Sequence, residues 1–102
     1  MDYTADIAKY TSNVDEAAVK ALASRYRLVM SQPDSAVVAF TDPDELERVR
    51  ENFLIKRLGL SADDDLEGGI SAVGEKMKGV SRKSRLTVYY LLAEHFWKLG
   101  SL

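Results

Sequence analysis

Apolar residues recur along most of the chain at the three- and four-residue intervals of an amphipathic helix. The segment from Leu86 to Leu99 differs, because its apolar residues lie nearly all the way round a helix. Helices of that kind are buried on most sides in soluble proteins. The pattern therefore predicts an all-α fold in a single compact domain, residues 1–102, with about five to six helices around a buried C-terminal helix.

Two helices are predicted before the first proline. The first spans Asp2 to Tyr10, with Tyr3, Ile7 and Tyr10 on one face. The second begins at Asn13, which forms a capping-box pattern with Glu16, and runs to about Met30. Its predicted inward stripe consists of Ala18, Leu22, Tyr26 and Val29.

The segment from Ser35 to Phe40 is ambiguous. Its β-branched and aromatic residues favour a strand, but a lone strand would leave its backbone groups unpaired. We therefore interpret it as a short helix packed under its neighbours.

A third strong helix signal begins at Asp42. Asp42 is a typical cap, Pro43 suits the first helical position, and Glu45 occupies the capping-box position. The helix is predicted to continue to Leu58, where Gly59 provides a left-handed end.

The next helix is predicted to start at Ser61, which forms a capping box with Asp64, and to end at Gly79. Its apolar stripe consists of Leu66, Ile70, Val73 and Met77. Three internal glycines weaken this helix and are expected to admit a close neighbour; they are Gly68, Gly69 and Gly74. Gly100 is predicted to terminate the last helix.

Composition limits the possible cellular compartments and the kinds of chemical site that the chain can contain. The chain has no cysteine, which excludes disulfides and cysteine-based sites and fits a reducing compartment. No apolar run approaches the roughly 20 residues needed to span a bilayer, and no secretion signal is apparent. We expect a cytoplasmic protein without a membrane partner.

Charge is distributed unevenly along the chain. The net charge is -2, but residues 76–102 carry +5 and residues 1–75 carry -7. The positive charge is densest in a basic connector, defined by Lys76, Lys78, Arg82, Lys83 and Arg85. Basic side chains at a helix N-terminus suit a phosphate group, so these five residues form a candidate anion-binding site. The alternative is a solvated loop that pairs with Asp63 to Glu67 or with Glu75.

Two patterns resemble ligand sites but do not satisfy their requirements. The acidic run from Asp63 to Glu67 lacks the alternating ligand spacing of a calcium loop, and acids in a first helical turn serve as caps. Gly69 and Gly74 have phosphate-loop spacing, but Glu75 follows where that loop requires lysine. We expect neither a metal nor a cofactor.

The aromatic and ionisable residues of the last helix are predicted to be structural. Adjacent helical positions do not face each other, so Glu94 and His95 are poor acid-base partners, and His95 is interpreted as partly buried. Tyr89, Tyr90 and Trp97 could stack on nucleic-acid bases, but their helical spacing in an apolar segment favours the core. No catalytic set is recognised, and we expect no enzymatic activity.

Five stretches of the chain are similar to segments of one family: Val49 to Leu54, Lys56 to Leu60, Glu75 to Lys78, Arg82 to Arg85 and Tyr89 to Glu94. They resemble an uncharacterised bacterial family, the domain-of-unknown-function family numbered twenty-eight fifty-three. The resemblance implies a small bacterial, cytoplasmic helical protein, and it transfers no activity, ligand or cofactor.

Two functional hypotheses follow. The first is a non-enzymatic module that binds an unknown protein partner or forms a homo-oligomer, because the helical scaffold carries no assembled site. The second is anion or nucleic-acid binding through the connector from Lys76 to Arg85, with Lys98 as a further candidate. Binding of this second kind would weaken steeply as the salt concentration rises.

Overall fold

Six α-helices form the framework of the protein in a computed structural model that describes residues 2–102. They are α1 (Tyr3–Ile7), α2 (Glu16–Arg25), α3 (Arg27–Met30), α4 (Pro43–Arg48), α5 (Leu66–Lys76) and α6 (Arg85–His95). A π-helical segment, Val49–Ile55, continues α4, and 3₁₀ turns occupy Ala62–Asp64 and Leu99–Ser101. Residues 2–102 contain no strand, so the predicted all-α class is confirmed.

Helix α6 is the centre of the core. Every residue from Leu86 to Ala93 is buried, and α1, α2, α5 and the π-helical segment pack around the helix. Burial on all sides removes its apolar surface from water, which is the main favourable term in folding. The prediction of a buried C-terminal helix is confirmed for this stretch.

An aromatic cluster joins α6 to the neighbouring helices. The rings of Phe53 and Tyr89 stack with centroids 3.9 Å apart, and Tyr26 meets Tyr89 edge-on at 5.1 Å. Tyr26 lies at a break between α2 and α3, so the prediction of one continuous helix to Met30 is wrong. The first helix is also shorter than predicted, because a turn follows Ile7.

The predicted stripe of α5 is confirmed, since Leu66, Ile70, Val73 and Met77 are all buried. One glycine of this helix admits a close neighbour, as expected. A Cβ atom added to Gly69 would lie 2.4 Å from the ring of Phe96, closer than real side chains approach. Phe96 therefore packs directly on the backbone of α5.

Two helix starts differ from the sequence prediction. The cap of α2 is Asp15 rather than Asn13, and its backbone N–H donates to the Tyr90 hydroxyl at 2.8 Å. The Asp15 side chain caps the helix locally by accepting from the Ala18 N–H at 3.1 Å, and the bond to Tyr90 ties this end to α6. Ser61 and Asp64 do form a capping box, but it opens the short 3₁₀ turn, and Asp65 caps α5 in a left-handed conformation.

The interpretation of Ser35 to Phe40 as a helix is wrong. Val37 forms an antiparallel bridge with Ser84, and the backbone N–H of Val38 donates to the Lys83 carbonyl at 2.9 Å. Val37 and Val38 form these contacts because the connector before α6 supplies the backbone partners that a lone strand would lack. Turns and non-regular backbone make up the rest of the segment.

The predicted helix start at Asp42 and the left-handed end at Gly59 are confirmed. Asp42 caps α4 with Pro43 in the first turn, and Gly59 has a positive φ of 74° after the π-helical segment. Backbone bonds from Lys56 to Glu51 and from Leu58 to Phe53 span five residues, which widens the turn. As a result Phe53 and Leu54 are both buried.

Buried tyrosines are expected to make the fold sensitive to alkaline pH. Burial raises the pKa of both Tyr26 and Tyr90 above the ordinary value of 10.0. The folded protein then keeps protons that the unfolded chain releases, so this stabilisation is complete below pH 10.0 and is lost as the pH rises through the folded-state pKa values.

Tyrosinate absorbance during a pH titration measures this directly. Tyr26 and Tyr90 are expected to ionise above pH 10.0, together with unfolding. Tyr26→Phe should reduce the absorbance change of this late phase by the contribution of one tyrosine. Ionisation of Tyr26 and Tyr90 near pH 10.0 with the fold intact would contradict the expectation.

Candidate functional site

The basic connector does not form an open cluster of cations, because Arg85 is directed into the protein. Its Nε donates to the Ser35 carbonyl at 2.6 Å and its Nη2 donates to the Val37 carbonyl at 3.1 Å. Nη1 donates to the Tyr89 hydroxyl at 3.1 Å, and Nη2 also forms an ion pair with Glu45. Both charged side chains are about nine-tenths buried.

The environment of Arg85 keeps its guanidinium charged. Burial by itself lowers the pKa of Arg85, but its interactions with Tyr89 and Glu45 outweigh burial, and the pKa is raised. Its cationic donors are thus used to hold the extended segment and α4 against α6.

Three other connector cations also have internal partners. Lys83 donates to the Val80 carbonyl at 2.7 Å, and Arg82 donates to the Pro33 carbonyl at 3.5 Å. Lys76 approaches Glu94 with 3.8 Å between Nζ and Oε1. Lys78 is exposed. Anion binding by these residues stays a prediction, and the contacts observed here favour a structural role for most of them.

The proposed pairing of the connector with the acidic segment is wrong. The ion pairs of Arg85 and Lys76 are with Glu45 and Glu94, whereas Glu67 pairs with Arg50 at 3.0 Å. Within the acidic segment, Asp64 and Asp65 act as caps, as predicted. No group of three or more metal-ligating side chains is found within residues 2–102.

The last helix ends earlier than predicted, and this changes the position of Trp97. Helix α6 stops at His95 rather than at Leu99. Tyr89 and Tyr90 are buried, as expected, but Trp97 is 92% exposed, so its assignment to the core is wrong. His95 is likewise exposed rather than partly buried.

Trp97 occupies a backbone position that normally favours glycine. Its N–H donates to the Glu94 carbonyl at 3.1 Å, and the N–H of Lys98 donates to the Ala93 carbonyl at 2.7 Å. These two bonds define a Schellman motif, in which the residue after the cap is left-handed. Trp97 has a φ of 60°, a conformation that is unfavourable for a bulky side chain.

A surface depression, here called the Trp97 groove, lies beside this helix end. Its volume is about 710 Å³, compared with about 370 and 380 Å³ for the depressions beside Arg50 and Asp34. Its lining residues come from the turn after α1 and from the ends of α5 and α6: Thr11, Ser12, Asn13, Lys76, Glu94, His95, Trp97, Leu99 and Gly100.

Both signs of charge line the Trp97 groove, and they are linked to each other. The Thr11 hydroxyl donates to Glu94 Oε2 at 2.8 Å, and Lys76 approaches the other oxygen of the same carboxylate. Ser12, Asn13 and His95 are exposed at the rim. The groove thus combines one large aromatic surface with neutral polar groups and one Lys76–Glu94 pair of balanced charge.

A family model described as "Protein of unknown function (DUF2853)" matches residues 2–100. The chain belongs to this family. The family description assigns no activity, and the function of the protein is unknown on this basis. No match is found among curated proteins. No helix within residues 2–102 has both the length and the apolar character needed to cross a membrane.

The sequence does not predict the Trp97 groove of this DUF2853 protein, because the residues at its rim depend on where α6 ends. The nearest glycine that could signal that end is Gly100, three residues after the left-handed position. Phe96 instead packs on Gly69, and the helix stops there without a glycine. Trp97 is a possible stacking residue by its chemistry, but its helical spacing predicts a position in the core.

Proposed function

We propose that this protein is a non-enzymatic protein-interaction module and that the Trp97 groove is its binding surface. The observation that carries the proposal is the 92% exposure of Trp97, the single tryptophan of the chain. Tryptophan is among the residues most enriched at the energetic centres of protein interfaces. Its indole supplies a large apolar face together with one hydrogen-bond donor.

The backbone of Trp97 supports a binding role. A left-handed conformation costs a non-glycine residue roughly 1–2 kcal/mol, and an exposed side chain recovers none of this by packing in the free protein. Backbone strain of this kind clusters at binding and catalytic sites. A contact with a partner would offset the cost by burying the indole.

The surrounding groups favour a polypeptide partner over an anionic one. Most of the connector cations form hydrogen bonds or ion pairs within the protein, which leaves few of them for phosphate groups. Glu94 and Lys76 both line the groove and offset each other's charge, with 3.8 Å between Nζ and Oε1. The proposal also places the protein in the cytoplasm, on the basis of its cysteine-free composition.

Selection from a phage-displayed library of random linear peptides tests the proposal. Enriched peptides are expected to bind the protein and to shift Trp97 emission to shorter wavelength as the indole leaves water. Trp97→Gly should weaken their binding by about 30-fold or more, the loss that defines an interface hot spot.

Leu28→Ser is the matched control, because Leu28 is the other large exposed apolar residue within residues 2–102, at 75%. The control should leave peptide binding unchanged. Trp97→Gly should remain folded, with stability unchanged or raised by up to about 1 kcal/mol, since glycine suits the left-handed position. Peptides that bind the wild type and Trp97→Gly equally well would refute the proposal.

A further inference from the structure

We infer that the occupant of the Trp97 groove is the Trp97 side chain of a second copy of this chain, in a two-fold symmetric dimer. This inference rests on the proposed function, because both assign the groove to protein contacts. It adds the identity of the partner.

The shape of this face is the first argument. Trp97 projects from the rim with 92% of its surface exposed, and the depression of about 710 Å³ lies directly beside it. A protruding group and a recess side by side on one face are complementary to a copy turned through a two-fold axis. Each indole then enters the groove of the other copy, and the contact closes at two chains.

The charges of the groove are the second argument. Lys76 and Glu94 both line the groove, with 3.8 Å between Nζ and Oε1, so the face carries both signs in balance. A face of one sign would repel its own copy, whereas a balanced face can set Lys76 of one chain against Glu94 of the other. The same balance offers little attraction to a strongly charged partner such as nucleic acid.

The size of the contact predicts weak association. Aromatic side chains bury about 150–250 Å² each, so two indoles supply only part of the 1,200 Å² or so that a stable interface requires. The groove rims must contribute the remainder. We expect a dissociation constant in the micromolar range or above, with the two indoles close enough to contact each other across the axis.

Sedimentation velocity of the full chain from about 1 µM to about 1 mM tests the inference. A monomer-to-dimer transition is expected, together with a blue shift of Trp97 emission over the same range. The chain has one tryptophan, so the emission reports on this site alone. A monomer at every concentration would overturn the inference.

Variants locate the contact. Trp97→Gly should raise the dissociation constant about 30-fold or more while the circular dichroism of the fold is kept, and Leu28→Ser should not change it. A dimer that persists unchanged in Trp97→Gly would overturn the inference.

Charge reversal tests the pairing across the axis. Lys76→Glu gives an acidic groove and Glu94→Lys a basic one, so each variant should associate less with itself than the wild type does. An equimolar mixture should restore dimers. Failure of the mixture to associate more than either variant alone would contradict the two-fold arrangement.

The two proposals fail in different ways. If the chain stays monomeric but binds library peptides through Trp97, the proposed function is supported and this inference is refuted. If neither peptide binding nor self-association depends on Trp97, both proposals are refuted.

Discussion

Replacing Arg85 by alanine is expected to lower the free energy of unfolding by about 3–5 kcal/mol, the usual cost of breaking a buried ion pair from one side. The substitution leaves the Glu45 carboxylate buried with only the largely exposed Arg48 as a charged partner. It also removes the donors to the carbonyls of Ser35 and Val37. Urea unfolding followed by circular dichroism measures the loss.

Two further variants sharpen this test. Arg82→Ala removes an exposed cation of the same connector and should change stability by less than about 0.5 kcal/mol. Arg85→Lys should recover only part of the loss, because a lysine ammonium cannot reproduce the planar fork that reaches several acceptors at once. Equal stability of Arg82→Ala and Arg85→Ala would show that the buried contacts of Arg85 are unimportant.

Phe53→Ala is the second substitution with a large expected effect, again a loss of about 3–5 kcal/mol. Phe53 is 1% exposed and stacks on Tyr89 at a ring-centroid distance of 3.9 Å. Truncation removes this contact and leaves a cavity beside the central helix that its rigid neighbours cannot fill. The same unfolding experiment measures the change, and the near-ultraviolet circular dichroism of the tyrosines should weaken.

Asn52→Ala provides the control on the same π-helical segment. Asn52 is exposed, so its truncation should change stability by less than about 0.5 kcal/mol. A loss as large as that of Phe53→Ala would place the effect in the backbone of the segment rather than in the aromatic cluster.

Sequence patterns predicted most of the core because burial is periodic. The stripe of α5 and the central part of α6 lie where their apolar spacing placed them. Local chemistry likewise predicted Asp42 as a cap and Gly59 as a left-handed end, since each depends on residues within a few positions. Such features require no knowledge of distant contacts.

The errors occurred where distant partners decide the conformation. Ser35 to Phe40 is not helical, because residues 83–85 provide its backbone partners. The start of α2 is an exception, because Asp15 caps it locally by accepting from the Ala18 N–H, and the bond to Tyr90, 75 positions away, adds a distant contact. The partners of Ser35 to Phe40 cannot be identified from the local sequence, so propensity alone led to the wrong interpretation there.

The candidate site shows the same division. The sequence indicates the basic connector as the candidate anion-binding site, because the density of charged residues can be seen from the sequence alone. The structure turns Arg85 inward and engages Lys83 with a nearby carbonyl. It exposes Trp97 instead, at a helix end that no glycine marks.

By itself the sequence determined the all-α class, the identity of the central helix and most of the buried stripe, because hydrophobic periodicity reports which face of each helix leaves water. Only the tertiary structure decided where α6 ends, which cations remain accessible and which aromatic residue lies on the surface. These depend on the packing of Phe96 against Gly69 and of Arg85 against Glu45, contacts between residues far apart in the chain.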